Sequence, residues 1–305
     1  MTNPKLAEKV IEPKINLPDC RWSWLGKLLI LAQVSAIAAI AVALVKPSVP
    51  DPLIDQVSSP FPGVSYLNRR MTGHPELNMH VVKIDLTLPG LRFQVTKPTP
   101  NGTTPLETTL NFSQRVGAQI GINGNFFQFS PTAHATILGA AASRGWGYGI
   151  DTQNSAVTGI SFSPTSQVSF LPATRKPALP IYNLVSGFNS VTRGNVQADL
   201  LDKSKRAARS AIGLTQDGRQ LILFVVDGPA SGLSRGMTQL EMAQHLQRDF
   251  NVYNAINLDG GGSSTLVFCQ SNCRLANVPS STVTGLGDRV VGNNLAIFVP
   301  SAFPK

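Results

Sequence analysis

The sequence predicts an α+β fold of mixed, mostly antiparallel sheets with few helices, preceded by one N-terminal transmembrane helix. Short apolar runs recur between turn residues along most of the chain, and only two segments have clear helical periodicity. A nearly unbroken apolar stretch at 28–45 is long enough to cross a bilayer. The 305 residues, 42% of them hydrophobic, allow one large domain with an ample core.

The N-terminal region has the pattern of a signal anchor. Residues 1–27 form a basic tail, 28–45 the predicted membrane helix, and 46–62 a linker rich in proline and serine. A basic flank stays on the cytoplasmic side, so the domain at 63–305 is expected on the periplasmic or extracellular side. A cleaved signal peptide is the alternative interpretation.

Charge and cysteine content narrow the function classes. The net charge is +9, but part of the excess lies in the tail, and no zinc-ligand spacing or basic-aromatic ladder accompanies it. We therefore expect no nucleic-acid partner. Cys269 and Cys273 flank a polar turn, which predicts a disulfide in an exported protein, with two free thiols as the alternative.

The elements follow from local patterns. The predicted strands are 81–88, 91–95, 118–123, 157–162, 167–171, 181–185, 211–214, 220–226, 255–258, 266–268 and 295–299. Helices are predicted at Thr108–Arg115 and Thr238–Phe250, and Thr238 and Glu241 have the spacing of a capping box. Residues 131–155 have no periodicity and are predicted as a long loop.

The run from Asn257 to Thr265 is the most informative motif. An apolar strand delivers Asp259 into three consecutive glycines, and two serines and a threonine follow. Glycines permit a sharp turn or a close approach to the main chain, and the adjacent amides and hydroxyls can hold an oxyanion or a sugar. The alternative is a tight hairpin with an Asp-Gly turn. The binding residues predicted in this block are Gly260, Gly261, Gly262, Ser263, Ser264 and Thr265.

Other polar residues also lie where predicted strands begin or end. Asp227 follows the strand 220–226 and precedes a glycine, which is either ordinary turn chemistry or a carboxylate pointing into a cleft. Asn123 and Asn125 close the strand at 118–123. Arg209 precedes another strand, and its guanidinium suits phosphate, although the neighbouring lysines also fit a solvated basic run.

Taken together, several motifs resemble the phosphodiester glycosidase domain family over roughly residues 81–299. In chain order they are Ile122-Asn-Gly-Asn-Phe-Phe127, Arg209-Ser-Ala-Ile-Gly213, Phe224-Val-Val-Asp-Gly228, Ser234-Arg-Gly-Met-Thr238, Asn257-Leu-Asp-Gly-Gly-Gly-Ser-Ser-Thr265 and Arg289-Val-Val-Gly-Asn293. The chain departs from the family pattern at Asn125, where members commonly have glycine, and between Arg289 and Asn293.

The resemblance implies an exported hydrolase that cleaves a sugar-1-phosphodiester at the anomeric carbon. Asp227 and Asp259 are then the expected catalytic carboxylates, and Arg209 with Arg289 the expected phosphate ligands. Asn123, Asn125, Asn293 and the residues of the glycine block are expected to bind the sugar. The substrate is expected to be a sugar-phosphodiester glycan or glycolipid, and no cofactor is required.

Two other functions remain open from the residues. A non-catalytic envelope protein that binds glycans would use the same amides, hydroxyls and arginines. A metal-dependent phosphodiesterase would cut the P–O bond with a divalent cation held by Asp227 and Asp259.

Overall fold

The computed structural model describes residues 53–73, 76–131, 133–149, 157–171, 181–229, 234–283 and 288–300. The predicted basic tail (1–27) and membrane anchor (28–45) lie outside these residues. Within the described part of the chain, no helix combines the length and the apolar character needed to cross a bilayer.

Antiparallel strand pairing dominates the described residues, which confirms the predicted α+β class. The largest sheet has twelve strands among these residues: β1 (Leu53–Phe61), β2 (Val64–Met71), β3 (Leu77–Asp85), β9 (Ala141–Ser143), β10 (Trp146–Tyr148), β11 (Val157–Phe162), β12 (Val168–Leu171), β13 (Asn183–Thr192), β14 (Asn195–Val196), β15 (Arg209–Thr215), β16 (Gln220–Val226) and β17 (Val252–Asn257). Its main path runs β1-β2-β3-β16-β15-β17-β13-β11-β12.

Two smaller sheets complete the described strands. A five-stranded sheet has the order β19-β18-β6-β20-β4, and a three-stranded sheet has the order β5-β8-β7. Their strands are β4 (Arg92–Val95), β5 (Thr104–Pro105), β6 (Ile120–Asn123), β7 (Phe127–Phe129), β8 (His134–Ile137), β18 (Leu266–Cys269), β19 (Cys273–Leu275) and β20 (Asn294–Phe298). Cys269 and Cys273 pair across β18 and β19 and form the predicted disulfide.

The three described helices are α1 (Thr109–Val116), α2 (Gln239–Phe250) and α3 (Ser280–Val283). The Thr108 hydroxyl caps α1 and accepts from Asn111 N at 3.1 Å, and the predicted capping box of Thr238 and Glu241 at the start of α2 is confirmed. These hydrogen bonds satisfy backbone N–H groups that the first turn of a helix leaves unpaired.

The large sheet buries both of its faces, and β16 shows how the sequence achieves this. Successive side chains of a strand point to opposite sides. Leu223 and Val225 therefore pack into the core shared with the five-stranded sheet, where Ile122 also lies. Phe224 faces the other way and packs in a separate core with Leu246 of α2. An almost continuous apolar run is the sequence signal of such a two-sided strand.

The structure differs from the sequence-based expectation in two regions. The strand β1 lies inside the range 46–62 that was expected to be a linker, and it pairs with β2 from Leu53↔Met71 to Phe61↔Val64. Pro60 is tolerated there because β1 is an edge strand. The predicted loop at 131–155 contains β8, β9 and β10, which are too short to produce a periodic signal.

Candidate active site

The glycine block, residues 259–265, connects the twelve-stranded sheet to the five-stranded sheet. β17 belongs to the twelve-stranded sheet and β18 to the five-stranded one, so the residues between them cross from one sheet to the other. Gly261 starts a single 3-10 turn with φ 62°, a conformation that favours glycine, and open space lies where a side chain would project. The main chain of Asp259 is fixed on both sides, because its N–H donates to Gly124 O at 3.1 Å and its carbonyl accepts from Asn123 Nδ2 at 2.8 Å.

The carboxylate of Asp259 is partly buried. Burial raises its pKa above the ordinary value of 3.8, while the Ser263 hydroxyl, the Gly260 N–H and the Arg289 charge act in the opposite direction. Gly260 N donates to Asp259 Oδ1 at 2.9 Å. The Ser263 hydroxyl lowers the pKa of this carboxyl group, although it makes no full hydrogen bond in the structure. The Asp259 carboxylate therefore receives few hydrogen bonds from the protein itself.

Buried polar groups without a hydrogen-bond partner occur within and beside the glycine block. Among the described residues, the unpartnered atoms in and beside the block are both side-chain polar atoms of Asn257 and the hydroxyls of Ser263, Ser264, Thr265 and Ser280. A buried polar group without a partner costs free energy, and native proteins contain few of them. A run of such groups in one place is typical of a site that is completed by a ligand or by water.

Two guanidinium groups flank the glycine block from opposite ends. Arg209 is 9% exposed and is held by Met237 O, 3.1 Å from Nε, and Lys205 O, 2.7 Å from Nη2. Its Nη1 lies 3.8 Å from the position that a Cβ on Gly260 would take. Burial lowers the pKa of Arg209, and Asp202 opposes that shift, but an arginine of lowered pKa remains charged.

At the other end of the block, Arg289 packs against aromatic rings. Its guanidinium carbon lies 5.8 Å and 5.7 Å from the ring centroids of Phe127 and Phe129. Its Nη1 lies 3.4 Å from the position that a Cβ on Gly262 would take. A side chain at position 262 would therefore displace the guanidinium, so this glycine permits the close approach.

An open depression of about 660 Å³ reaches the block at this end. Its lining residues are Phe129, Gly262, Ser280, Ser281, Asp288, Arg289 and Val290. Asp288 adds a second carboxyl group at this opening, and burial raises its pKa. The combination of a carboxyl group, the unpartnered Ser280 hydroxyl and the Arg289 guanidinium at an opening can bind an anionic sugar derivative.

Asp227 has entirely different surroundings. Its side chain is fully buried, and its two oxygens accept from three donors: Asn78 Nδ2 at 2.6 Å, Asn277 Nδ2 at 3.2 Å and Val278 N at 3.0 Å. His80 Nε2 also lies 3.3 Å from Oδ2, and it donates there in the tautomer that carries the proton on Nε2. Such burial and saturation argue against the expected contact between Asp227 and substrate.

The same saturation leaves little room for a cation at this carboxylate, and no three His, Cys, Asp or Glu side chains cluster as cation ligands among the described residues.

Asn277 connects Asp227 to the glycine block. Its amide also donates to Ser264 O at 3.1 Å, and its Oδ1 accepts from Leu266 N at 2.7 Å. Sequence analysis missed Asn277, and it also missed Asn78 and His80, because nothing in their local sequence marks them as partners of Asp227. Asp227 therefore holds the main chain of the block in place.

The three predicted asparagines lie together at the site, but their amides bind protein groups. Asn123 Oδ1 accepts from Ser210 Oγ at 2.7 Å and from Thr265 N at 3.2 Å. Asn125 and Asn293 bond to each other, with Asn125 N to Asn293 Oδ1 at 2.6 Å and Asn293 Nδ2 to Asn125 Oδ1 at 3.1 Å. All three are buried, so they shape the site rather than offer free donors to a sugar.

Known proteins resemble this chain both in sequence and in structure. Residues 116–298 match the sequence model of a family described as phosphodiester glycosidase. The mouse N-acetylglucosamine-1-phosphodiester alpha-N-acetylglucosaminidase is 34% identical over 189 residues, which is 54% of this chain and 34% of the mouse protein. The human protein of the same name is 49% identical over 74 residues, which is 24% of this chain and 13% of that protein. The chain thus spans about a third of the mouse relative's length.

Two solved structures have a similar fold. The catalytic domain of the zebrafish N-acetylglucosamine-1-phosphodiester alpha-N-acetylglucosaminidase, auto-inhibited by its pro-peptide, has a TM-score of 0.57 at 23% identity, covering 84% of this chain and 85% of that one. A hypothetical protein from Synechocystis has a TM-score of 0.56 at 16% identity, covering 81% of this chain and 64% of that one. At these identities the structures establish a shared fold.

Proposed function

This chain belongs to the phosphodiester glycosidase family, a family of hydrolases, and on that premise we propose that it cleaves a sugar-1-phosphodiester at the anomeric carbon. The observation that carries the proposal is the surroundings of Asp259. Its carboxylate feels the charge of Arg289, and the glycine block that follows it contains unpartnered buried hydroxyls, has Arg209 and Arg289 at its two ends and reaches an open depression at Gly262. This arrangement supplies the groups that a sugar joined to a phosphate requires.

Each group has a place in the proposed reaction. The anomeric carbon lies at Asp259, and the phosphate lies against Arg289 and Arg209. Water adds to the anomeric carbon as the bond from that carbon to the phosphate oxygen breaks, and the electron pair of that bond stays on the phosphate. The products are the free sugar and a phosphomonoester.

Asp259 acts in its ionised form in this reaction. It stabilises positive charge on the sugar ring and activates water or attacks the anomeric carbon directly. A phosphate leaving group is a weak base, so it departs without strong help from a general acid. The guanidinium groups stabilise the negative charge that develops on it. Asp227 acts as a positioning residue through Asn277.

The position of bond cleavage is the decisive measurement. Purified protein is incubated with an N-acetylglucosamine-1-phosphodiester in water labelled with heavy oxygen, and the products are analysed by mass spectrometry. The substrate follows from the names of the mouse and human relatives. Label in the sugar hydroxyl is expected. Label in the phosphate would overturn the proposal and indicate cleavage of the P–O bond.

Export and membrane attachment are part of the same proposal. The apolar stretch 28–45 behind a basic tail supports an anchor, and the disulfide between Cys269 and Cys273 supports an oxidising compartment for the catalytic domain. We expect the protein in the membrane fraction, with its catalytic domain digested by protease added outside the cytoplasm. Recovery in the soluble cytoplasmic fraction would contradict this.

A further inference from the structure

The depression at Gly262 contains two side chains of opposite charge that follow one another in the sequence. Asp288 and Arg289 both line it. The guanidinium of Arg289 packs against the rings of Phe127 and Phe129. Both carboxylate oxygens of Asp288 are buried and lack a hydrogen-bond partner among the described residues, the Arg289 guanidinium included. The two charges therefore lie at the same opening without forming a hydrogen-bonded ion pair.

The Asp288 carboxylate has little support from the fold. Burial raises its pKa, whereas the Thr108 hydroxyl and the Arg289 N–H lower it, although neither makes a full hydrogen bond to it in the structure. Asp227 shows how the same chain satisfies a carboxylate that supports the fold, since three donors reach it. A buried carboxylate without donors costs free energy, so its presence at an opening indicates a function.

The proposed reaction changes the charge on the phosphate. A phosphodiester carries one negative charge at neutral pH, whereas a phosphomonoester carries up to two, because its second pKa is about 6. The Coulomb energy is proportional to the charge of the ligand. A site with guanidinium groups alone would therefore bind the phosphomonoester product more tightly than the substrate, and the product would block it.

We propose that Asp288 sets the charge selectivity of the site, so that the phosphate position beside Arg289 accepts a singly charged phosphodiester and disfavours a doubly charged phosphomonoester. This inference rests on the proposed function, which places the phosphate at Arg289. Arg289 attracts each negative charge of the ligand and Asp288 repels it, and burial of the carboxylate reduces the screening of that repulsion. The second charge of the monoester therefore adds little binding free energy, and the product leaves readily.

Two small anions of the same shape and different charge test the selectivity. At pH 8 methyl phosphate carries two negative charges and methyl sulfate carries one, and neither contains a sugar. We expect Asp288→Asn to bind methyl sulfate about three-fold more tightly than the wild type does, the scale of one charge–charge interaction at a wet opening. Because the free-energy gain doubles with the ligand charge, methyl phosphate should bind about ten-fold more tightly. Isothermal titration calorimetry measures both affinities.

Two further variants serve as controls. Asp288→Glu keeps the negative charge and should keep the wild-type ratio of the two affinities. Asp217→Asn is the matched charge control, because Asp217 is exposed in the turn between β15 and β16 and does not line the depression. It removes the same charge from the chain and should change neither affinity.

Equal gains for the two anions, or no gain for either, would overturn the charge selectivity, since the substitution would then alter at most the shape of the opening. Weaker binding of both anions would also overturn it, because Asp288 would then act by positioning Arg289. The binding measurement does not depend on turnover. If the wild-type protein cleaves no phosphodiester but the two gains differ as expected, the selectivity stands and the hydrolase fails. Cleavage of a phosphodiester together with equal gains keeps the hydrolase and overturns the selectivity.

Discussion

Asp227 and Asp259 each follow a strand of the large sheet and each precede a glycine, but their carboxylates have opposite surroundings. Asp227 is fully buried, accepts from three donors and has His80 Nε2 3.3 Å from Oδ2. Asp259 is partly buried, accepts a hydrogen bond from Gly260 N, and precedes a glycine block whose serine and threonine hydroxyls have no partner. The difference lies in hydrogen-bond satisfaction rather than in local sequence, and it is the reason that we assign Asp227 to the fold and propose Asp259 for the reaction.

The network around Asp227 extends away from the site. Tyr66 donates to or accepts from His80 Nδ1 at 2.7 Å, and His80 Nε2 faces Asp227 Oδ2. Burial, followed by the charge of Asp227, raises the pKa of Tyr66 to about 12. This network therefore links β2, β3 and β16 to the segment after β19, and substitutions in it test stability, whereas substitutions at Asp259 test chemistry.

The largest expected effect is on turnover. Asp259→Asn should lower kcat at least about a hundred-fold, because in the proposed mechanism it removes the carboxylate that acts at the reacting carbon. Its unfolding temperature at neutral pH should not fall, since burial penalises the ionised carboxylate and the amide avoids that cost. Steady-state kinetics on an N-acetylglucosamine-1-phosphodiester measures the loss of kcat, and thermal unfolding measures the change in stability. Wild-type turnover by the purified variant would remove Asp259 from the reaction.

Phosphate binding should respond next. Arg289→Gln should lower kcat/KM on a phosphodiester by about 10- to 100-fold, the range for a lost hydrogen bond to a charged group. Activity on an uncharged N-acetylglucosaminide should change little, because that substrate has no phosphate. The two substrates are compared under the same conditions. A comparable loss on both would show that Arg289 supports the fold of the site and does not bind phosphate.

The pH dependence of the reaction follows from the same pair of residues. In the proposed mechanism Asp259 acts in its ionised form, and burial raises its pKa, so kcat/KM should fall on the acid side with a midpoint above 3.8. The Arg289 charge lowers that pKa, so Arg289→Gln should move the acid limb to higher pH. Profiles of kcat/KM against pH for both proteins measure the shift. An unmoved limb would mean that another group controls it.

A moderate effect on stability is expected at Asp227. Asp227→Asn places an amide N–H₂ against donors, and each buried group left unpaired costs about 1–3 kcal/mol. For a domain of this size, that cost lowers the unfolding temperature by at least about 2 °C. Calorimetry of Asp227→Asn beside Asp259→Asn makes the comparison direct. A variant at position 227 that unfolds like the wild type but loses turnover completely would reverse the roles of the two acids.

The smallest effect is expected in the glycine block. Gly261→Ala enters open space but must keep φ 62°, which costs about 1 kcal/mol. Its KM should stay near the wild-type value. Gly262→Ala has no positive φ, but its methyl group would lie 3.2 Å from Arg289 Cδ, so KM should rise while stability is kept. Denaturant unfolding measures the backbone strain expected in Gly261→Ala, and steady-state kinetics measures the crowding of Arg289 expected in Gly262→Ala. A raised KM for Gly261→Ala with a loss of stability for Gly262→Ala would contradict the geometry.

The sequence predicts most elements that have a strong local signal. The apolar run of β16 and the capping box of α2 were identified, because burial on both faces and a satisfied first turn leave patterns in the chain. The edge strand β1 and the short strands β8 to β10 were missed, since exposed or brief strands have no period. The different roles of the two acids could not be predicted from the sequence, because they depend on Asn78 and His80, which lie in a strand far from Asp227 along the chain.

Asn123 is one side chain that touches strands of both sheets. Its amide bonds to Ser210 of β15, to Thr265 N and to the carbonyl of Asp259, while its own backbone belongs to β6. The site is thus assembled only after the two sheets have docked in their final register. During refolding, recovery of activity should lag behind the circular-dichroism signal of the strands, so enzymatic turnover reports on completed tertiary assembly.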